Sequence, residues 1–183
     1  MKSQVPVWRL KVELLDTTPT VWRRFDTCAE VKLFQLHYFI QGVMGWDLMH
    51  PFSFQDGRGY GNQISSERRL CDVCRIDDAL TYIYDFGDNW RHRVIAEKVM
   101  AKPTGTYPRL VDGKYACPPE DCGGPWGYAD MLRVLTGRRS ARRRELVEWL
   151  GEPFDPRAFD LDEAKKRLAE YVEVSVPTPH IIA

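Results

Sequence analysis

No apolar run in the 183-residue chain approaches the length of a membrane span, and the opening MKSQVPVWRLKVELL lacks the apolar core of a secretion signal. Net charge is missing too. The 26 Lys and Arg balance 26 Asp and Glu, so no global field draws the protein to nucleic acid or to a membrane surface. Any such contact has to come from a local patch. There is no internal repeat, no GxSxG nucleophile turn and no GxxxxGK[ST] phosphate loop, so those catalytic templates fail. The five cysteines are odd in number, and the chain is too long for a small disulfide-stapled domain. The expectation is a cytoplasmic protein with reduced thiols and no membrane partner.

What is present reads as an ordinary globule, 44% hydrophobic and 28% charged. Trp8, Leu10, Val12 and Leu14 alternate with Arg9, Lys11 and Glu13, the pattern of a half-buried strand. DTTPT is turn chemistry and VWRRF (21–25) a second short strand, giving a hairpin. Leu33, Leu36, His37, Ile40, Val43 and Met44 have helical spacing, with Gly45 as a stop. His37 reads as a core histidine. Phe52 and Phe54 suggest another strand, and 56–62 a glycine-rich loop. Ala79–Phe86 and Trp90–Val99 are strong strand signals, and 100–127 reads as an ordered loop. Helices are expected at 128–136, 141–150 and 161–171, capped by Ser140 and Asp160, with Gly151 ending the second. Strands in the first half and helices in the second predict an α+β fold: one domain over 1–172, a mixed or antiparallel sheet against helices, and a flexible tail over 173–183.

Placing Tyr82, Tyr84 and Phe86 on one face with Trp90, His92 and Val94 predicts the pairs Phe86–Trp90, Tyr84–His92 and Tyr82–Val94. The loop would then be Gly87-Asp88-Asn89, with Asn89 left-handed.

The stretch YACPPEDCGGPWGY (115–128) is the most distinctive. Together with VWRRF, LHYFIQGVMGW (36–46), His50, YDFGDNWRH (84–92), YPR (107–109) and EWLGEPFDPRAFD (148–160), it resembles the plasmid pRiA4b open-reading-frame-three-like family. The resemblance covers nearly the whole chain. It implies an α+β domain linked to mobile elements, sometimes labelled resolvase-like, with no established activity. Ser140 has arginine neighbours, but its surroundings do not match a serine recombinase. Many members resemble HLHxF where this chain has His50-Pro51-Phe52-Ser53-Phe54, so one of two imidazoles is replaced. Leu110 stands where many members carry cysteine, and Cys74 occupies an apolar position of the family.

Three constellations are candidates for chemistry. Cys71, Cys74, Cys117 and Cys122 would bind zinc only if the two pairs converged, and the x4 spacing of the second pair argues instead for buried thiols in a stiff loop. Asp85, Asp88, Glu120 and Asp121 lie in the two most family-specific stretches. If the loop folds over the hairpin tip, they converge with His50 and His92 beside Trp90, a donor set for a divalent metal. The alternative is that they cap turns and backbone N–H groups. Arg138, Arg139, Arg142, Arg143 and Arg144 put five arginines into seven residues near a helix start, where positive charge opposes the helix dipole. They either contact phosphates or form a solvated face paired with Glu145 and Glu148. Two functions follow: a non-enzymatic accessory module that binds nucleic acid or another protein, or a metal-dependent enzyme of phosphodiester hydrolysis or transfer.

Overall fold

The computed structural model describes residues 5–57, 61–101 and 104–175. Its strands are β1 (Val7–Leu14), β2 (Trp22–Cys28), β3 (Phe52–Gln55), β4 (Gln63–Ile64), β5 (Ala79–Tyr84), β6 (Trp90–Val99) and β7 (Arg109–Lys114). They form one antiparallel sheet in the order β4-β3-β5-β6-β1-β2-β7. The helices are α1 (Leu33–Met44), α2 (Leu70–Val73), α3 (Gly124–Thr136), α4 (Ala141–Leu150) and α5 (Leu161–Ser175). The architecture is the expected α+β.

Alternation decides which face is which. Trp8, Leu10, Val12 and Leu14 are buried, and so are Leu80, Tyr82 and Tyr84 on β5 and Trp90, His92, Val94 and Ala96 on β6. α1 contributes Leu33, Leu36, His37, Ile40, Val43 and Met44 to the same interior and ends at Gly45, φ +98°. α5 packs on α1 so closely that a Cβ on Gly42 would lie 3.1 Å from the Leu168 Cα. The outer face carries ion pairs instead: Arg9–Asp26 at 2.7 Å, Arg24–Glu97 at 2.8 Å, and Glu13 between Lys11 and Arg93. These pairs are partly buried, Asp26 fully so, and desolvation offsets much of their attraction, whereas each fully buried large apolar side chain contributes about 1.5–3 kcal/mol. The aromatic and aliphatic interior therefore sets the fold.

The sequence expectations need four corrections. The β5–β6 hairpin pairs Tyr84 with Trp90 and Tyr82 with His92, two residues away from the expected register. Asp85 takes φ +55°, its Oδ1 accepts the Gly87 N–H at 2.8 Å, and its carbonyl accepts the Asn89 N–H at 2.6 Å. This side-chain turn ends β5 one residue before Asp85 and two before Phe86, which is left exposed. Secondly, β7 lies within the region expected as loop, paired with β2. Thirdly, α3 begins at Gly124 rather than 128, with Pro125 in its first turn, where a missing N–H costs nothing. Lastly, Glu173, Val174 and Ser175 continue α5; the rest of the expected tail lies outside the described residues. The caps of α4 and α5 are as expected. Ser140 Oγ accepts the Arg143 N–H at 3.1 Å, and Asp160 Oδ1 accepts the N–H groups of Asp162 and Glu163 at 2.9 and 3.0 Å.

Candidate metal centre

Three segments meet at one end of the sheet: the turn after α1 (residues 45–50), the tip of the β5–β6 hairpin, and the loop from Tyr115 to Gly123. The loop is tied down along its length. Arg23, from the VWRRF strand, points inward and is almost fully buried. Its guanidinium donates to the carbonyls of Val43 (2.7 Å), Trp22 (2.9 Å), Lys114 (2.9 Å) and Tyr115 (3.0 Å), and it lies 4.1 Å over the Phe159 ring. No carboxylate among the described residues pairs with it, and burial lowers its pKa to about 10. It remains charged at neutral pH and joins the end of α1 to the exit of β7. Further along, Trp46 Nε1–H donates to the Pro118 carbonyl at 2.9 Å, and Gly123 N–H donates to Asp88 Oδ2 at 3.1 Å. Gly124 seals the junction: at φ +66°, a Cβ there would stand 2.4 Å from the Asp88 carbonyl oxygen.

This framework brings the carboxylates to His50. His50 Nε2 lies 3.2 Å from Asp121 Oδ1, 3.8 Å from Asp85 Oδ2 and 4.0 Å from Glu120 Oε2. One ligand atom from each of His50, Asp85 and Asp121 falls within 4.8 Å of the others. Six ligands around an ion at about 2.1 Å are spaced by about 3.0 Å in cis and 4.2 Å in trans, and the three distances from His50 Nε2 fall between those limits. His50 Nε2 and Glu120 Oε2 are both buried without a hydrogen-bond partner. Asp85 and Asp121 both have φ +55°, a left-handed conformation that Asp tolerates better than most residues. The other oxygen of Glu120 is fully engaged: Tyr84 O–H donates to Oε1 at 2.8 Å and the Asp47 N–H at 3.1 Å. Burial raises the Glu120 pKa against the opposing pull of these two donors.

Of the residues expected to meet here, His50, Asp85, Glu120 and Asp121 do. Asp88 serves as the anchor for Gly123. Trp90 and His92 belong to the interior, both fully buried: Trp46 lies 5.9 Å from the Trp90 ring and meets His92 edge-on at 5.3 Å. The reason is the hairpin register, which sets His92 beside Tyr82 rather than Tyr84. Its Nδ1 faces the carbonyls of Trp90 (3.1 Å) and Tyr82 (3.4 Å), and burial lowers its pKa to about 3. His37 is likewise a core histidine, hydrogen-bonded to Tyr82 Oη at 2.7 Å. Phe52, at the position of the replaced imidazole, stacks on His37 at 3.7 Å.

The four thiols do not converge. The one metal-sized cluster among the described residues is His50, Asp85 and Asp121, and all five cysteines are free. Burial pushes Cys122 up to about 12 and Cys117 higher still, so neither is a ready thiolate. The arginines divide. Arg142 pairs with Asp130 rather than with Glu145 or Glu148, and Arg143 Nε donates to the Leu135 carbonyl at 3.0 Å. Arg138, Arg139 and Arg144 are exposed and make no ion pair among the described residues. Sequence reasoning missed Arg23, Trp46 and Asp47, whose roles depend on partners far along the chain.

The plasmid pRiA4b ORF-3-like protein family matches residues 6–163. The uncharacterized protein y4hQ of Sinorhizobium fredii is 31% identical over 173 residues, covering 87% of this chain and 89% of its own length. A crystal structure of MM3350 from Methanosarcina mazei, a protein of unknown function, superposes with a TM-score of 0.80 at 34% identity, covering 88% of this chain and 98% of that one. Among the described residues no helix is long and apolar enough to cross a membrane. By sequence match and by fold, the chain belongs to the plasmid pRiA4b ORF-3-like family.

Proposed function

We propose that the protein is a divalent-cation-binding module, non-enzymatic and accessory in role, with His50, Asp85 and Asp121 as ligands and Glu120 as a fourth. The observation that carries this reading is His50 Nε2, buried and without a hydrogen bond, with carboxylate oxygens at 3.2, 3.8 and 4.0 Å. A buried imidazole nitrogen without a hydrogen bond is costly, by about 1–3 kcal/mol, unless something coordinates it. One nitrogen and three carboxylates suit Mn²⁺ or Zn²⁺ better than a soft, thiol-seeking ion. Binding, rather than turnover, is what this donor set supports by itself.

Equilibrium dialysis against Mn²⁺ and Zn²⁺, followed by metal analysis, tests it. The expectation is one ion per chain, lost in His50→Ala and in Asp121→Asn. Metal retained at full stoichiometry in both variants, or no metal in the parent protein, refutes it. A second reading, contact with nucleic acid, is favoured by Arg138, Arg139 and Arg144, which stand exposed and without an ion pair among the described residues.

A further inference from the structure

A cleft of about 370 Å³ runs between α3 and α4. Asp121 and Cys122 belong to its lining, so the cleft and the cation site share the residue Asp121. Met131, Val134 and Leu146 give it an apolar lining, and Arg142 and Trp149 of α4 face it. Its volume is within the range of about 300–1,000 Å³ found for small-molecule sites. Every residue of α4 retains solvent exposure, and Trp149 is 51% exposed, which leaves part of its ring open where it lines the cleft.

Resting on the cation reading above, we infer that this cleft takes a phosphate-bearing aromatic ligand of mononucleotide size. Its phosphate completes the coordination of the cation beside Asp121, and its ring lies against Trp149. Three chemical facts favour that class. Divalent ions held by few carboxylates commonly fill their remaining positions with substrate phosphate. The half-exposed indole offers a stacking plane to a base. Arg142 can turn to the phosphate without stranding Asp130, because Arg133 Nη2 also donates to Asp130 Oδ1 at 2.6 Å. The cation is essential to the charge balance, since Asp121, Asp130 and Glu145 outnumber Arg142 in the lining and otherwise leave the cleft acidic.

The test uses the full chain and AMP, inorganic phosphate and adenosine as probes. Mn²⁺ binding is measured first, without nucleotide, by electron paramagnetic resonance. AMP is then titrated by calorimetry at saturating Mn²⁺ and again in EDTA. The expected result is AMP binding that requires Mn²⁺ and exceeds that of phosphate or adenosine about tenfold or more. Arg142→Gln and Trp149→Ala should each weaken it about tenfold, and Trp149→Phe should restore most of it. Mn²⁺ binding without AMP binding, or AMP affinity unchanged in Arg142→Gln and Trp149→Ala, overturns the nucleotide proposal and leaves the cation reading intact. Absence of Mn²⁺ binding in the first step overturns the cation reading, and the nucleotide proposal with it.

Discussion

The Tyr84 hydroxyl donates to Glu120 Oε1 over 2.8 Å, joining the last residue of β5 to the loop that carries Asp121. The same oxygen accepts the Asp47 N–H from the turn after α1. One carboxylate oxygen thus gathers the three segments of the site, and its partner oxygen is left facing His50. The cation pocket is therefore a product of the core: Tyr84 is fully buried and stacks on Trp46 at 5.0 Å.

Two substitutions separate the ring of Tyr84 from its hydroxyl. Tyr84→Ala removes a buried aromatic and should cost about 3–5 kcal/mol in urea denaturation. Tyr84→Phe keeps the packing and should cost only about 1–2 kcal/mol, while leaving Glu120 less well fixed. Equal losses in the two variants would show that the hydrogen bond, not the ring, stabilises this corner.

Stability should fall below neutral pH because of His37 and His92. Burial holds both near a pKa of about 3, against 6.5 for an ordinary histidine. Above 6.5 both states are neutral and neither group contributes; as pH falls, the unfolded chain takes up protons that the folded chain refuses. At pH 5 each histidine should withdraw about 2 kcal/mol, and the loss continues toward pH 3. Denaturation midpoints at pH 7 and pH 5 check this, with His37→Phe removing part of the difference. A midpoint constant over that range rejects the neutral-histidine account.

Gly124→Ala drives a methyl group against the Asp88 carbonyl and adds strain at φ +66°. It should destabilise the fold by about 1–3 kcal/mol and weaken cation binding, because the loop and hairpin tip must separate. An unchanged cation affinity would mean that Asp121 is positioned without this junction.

The arginine run yields a salt-dependent prediction. Arg142 and Arg143 hold local partners, so the informative triple variant is Arg138, Arg139 and Arg144 to Gln. Short-duplex binding by anisotropy should be weak and salt-steep. The triple variant should flatten the slope by up to about 0.9 for each phosphate it no longer neutralises. Binding unaltered by the triple variant removes the nucleic-acid reading.

The sequence made the sheet's inner face legible, because alternation is a local signal; it offered the convergence of His50 with the carboxylates only on condition that the loop fold over the hairpin tip, with turn capping as the alternative. What it hid was non-local. Arg23 sits in a charged VWRRF strand, yet its partners Val43, Lys114 and Tyr115 lie 20, 91 and 92 residues away. β7 reads RLVDGK, whose Asp and Gly are poor strand formers; its pairing with β2 holds it in the sheet. His92 shares a face with Tyr84, so alternation alone could not place it too deep for the site. The hairpin register turned on Asp85, a side chain that builds its own turn in place of one more strand pair.

His50, Asp85 and Asp121 form one cation site on this account, and a Mn²⁺ titration followed by electron paramagnetic resonance tests that most directly. Loss of free-ion signal at one equivalent per chain is expected for the parent protein, with affinity down about tenfold or more in His50→Ala and in Asp85→Asn, each with an unchanged circular dichroism spectrum. A signal that tracks free Mn²⁺ throughout, or the same affinity in parent and variants, would contradict it.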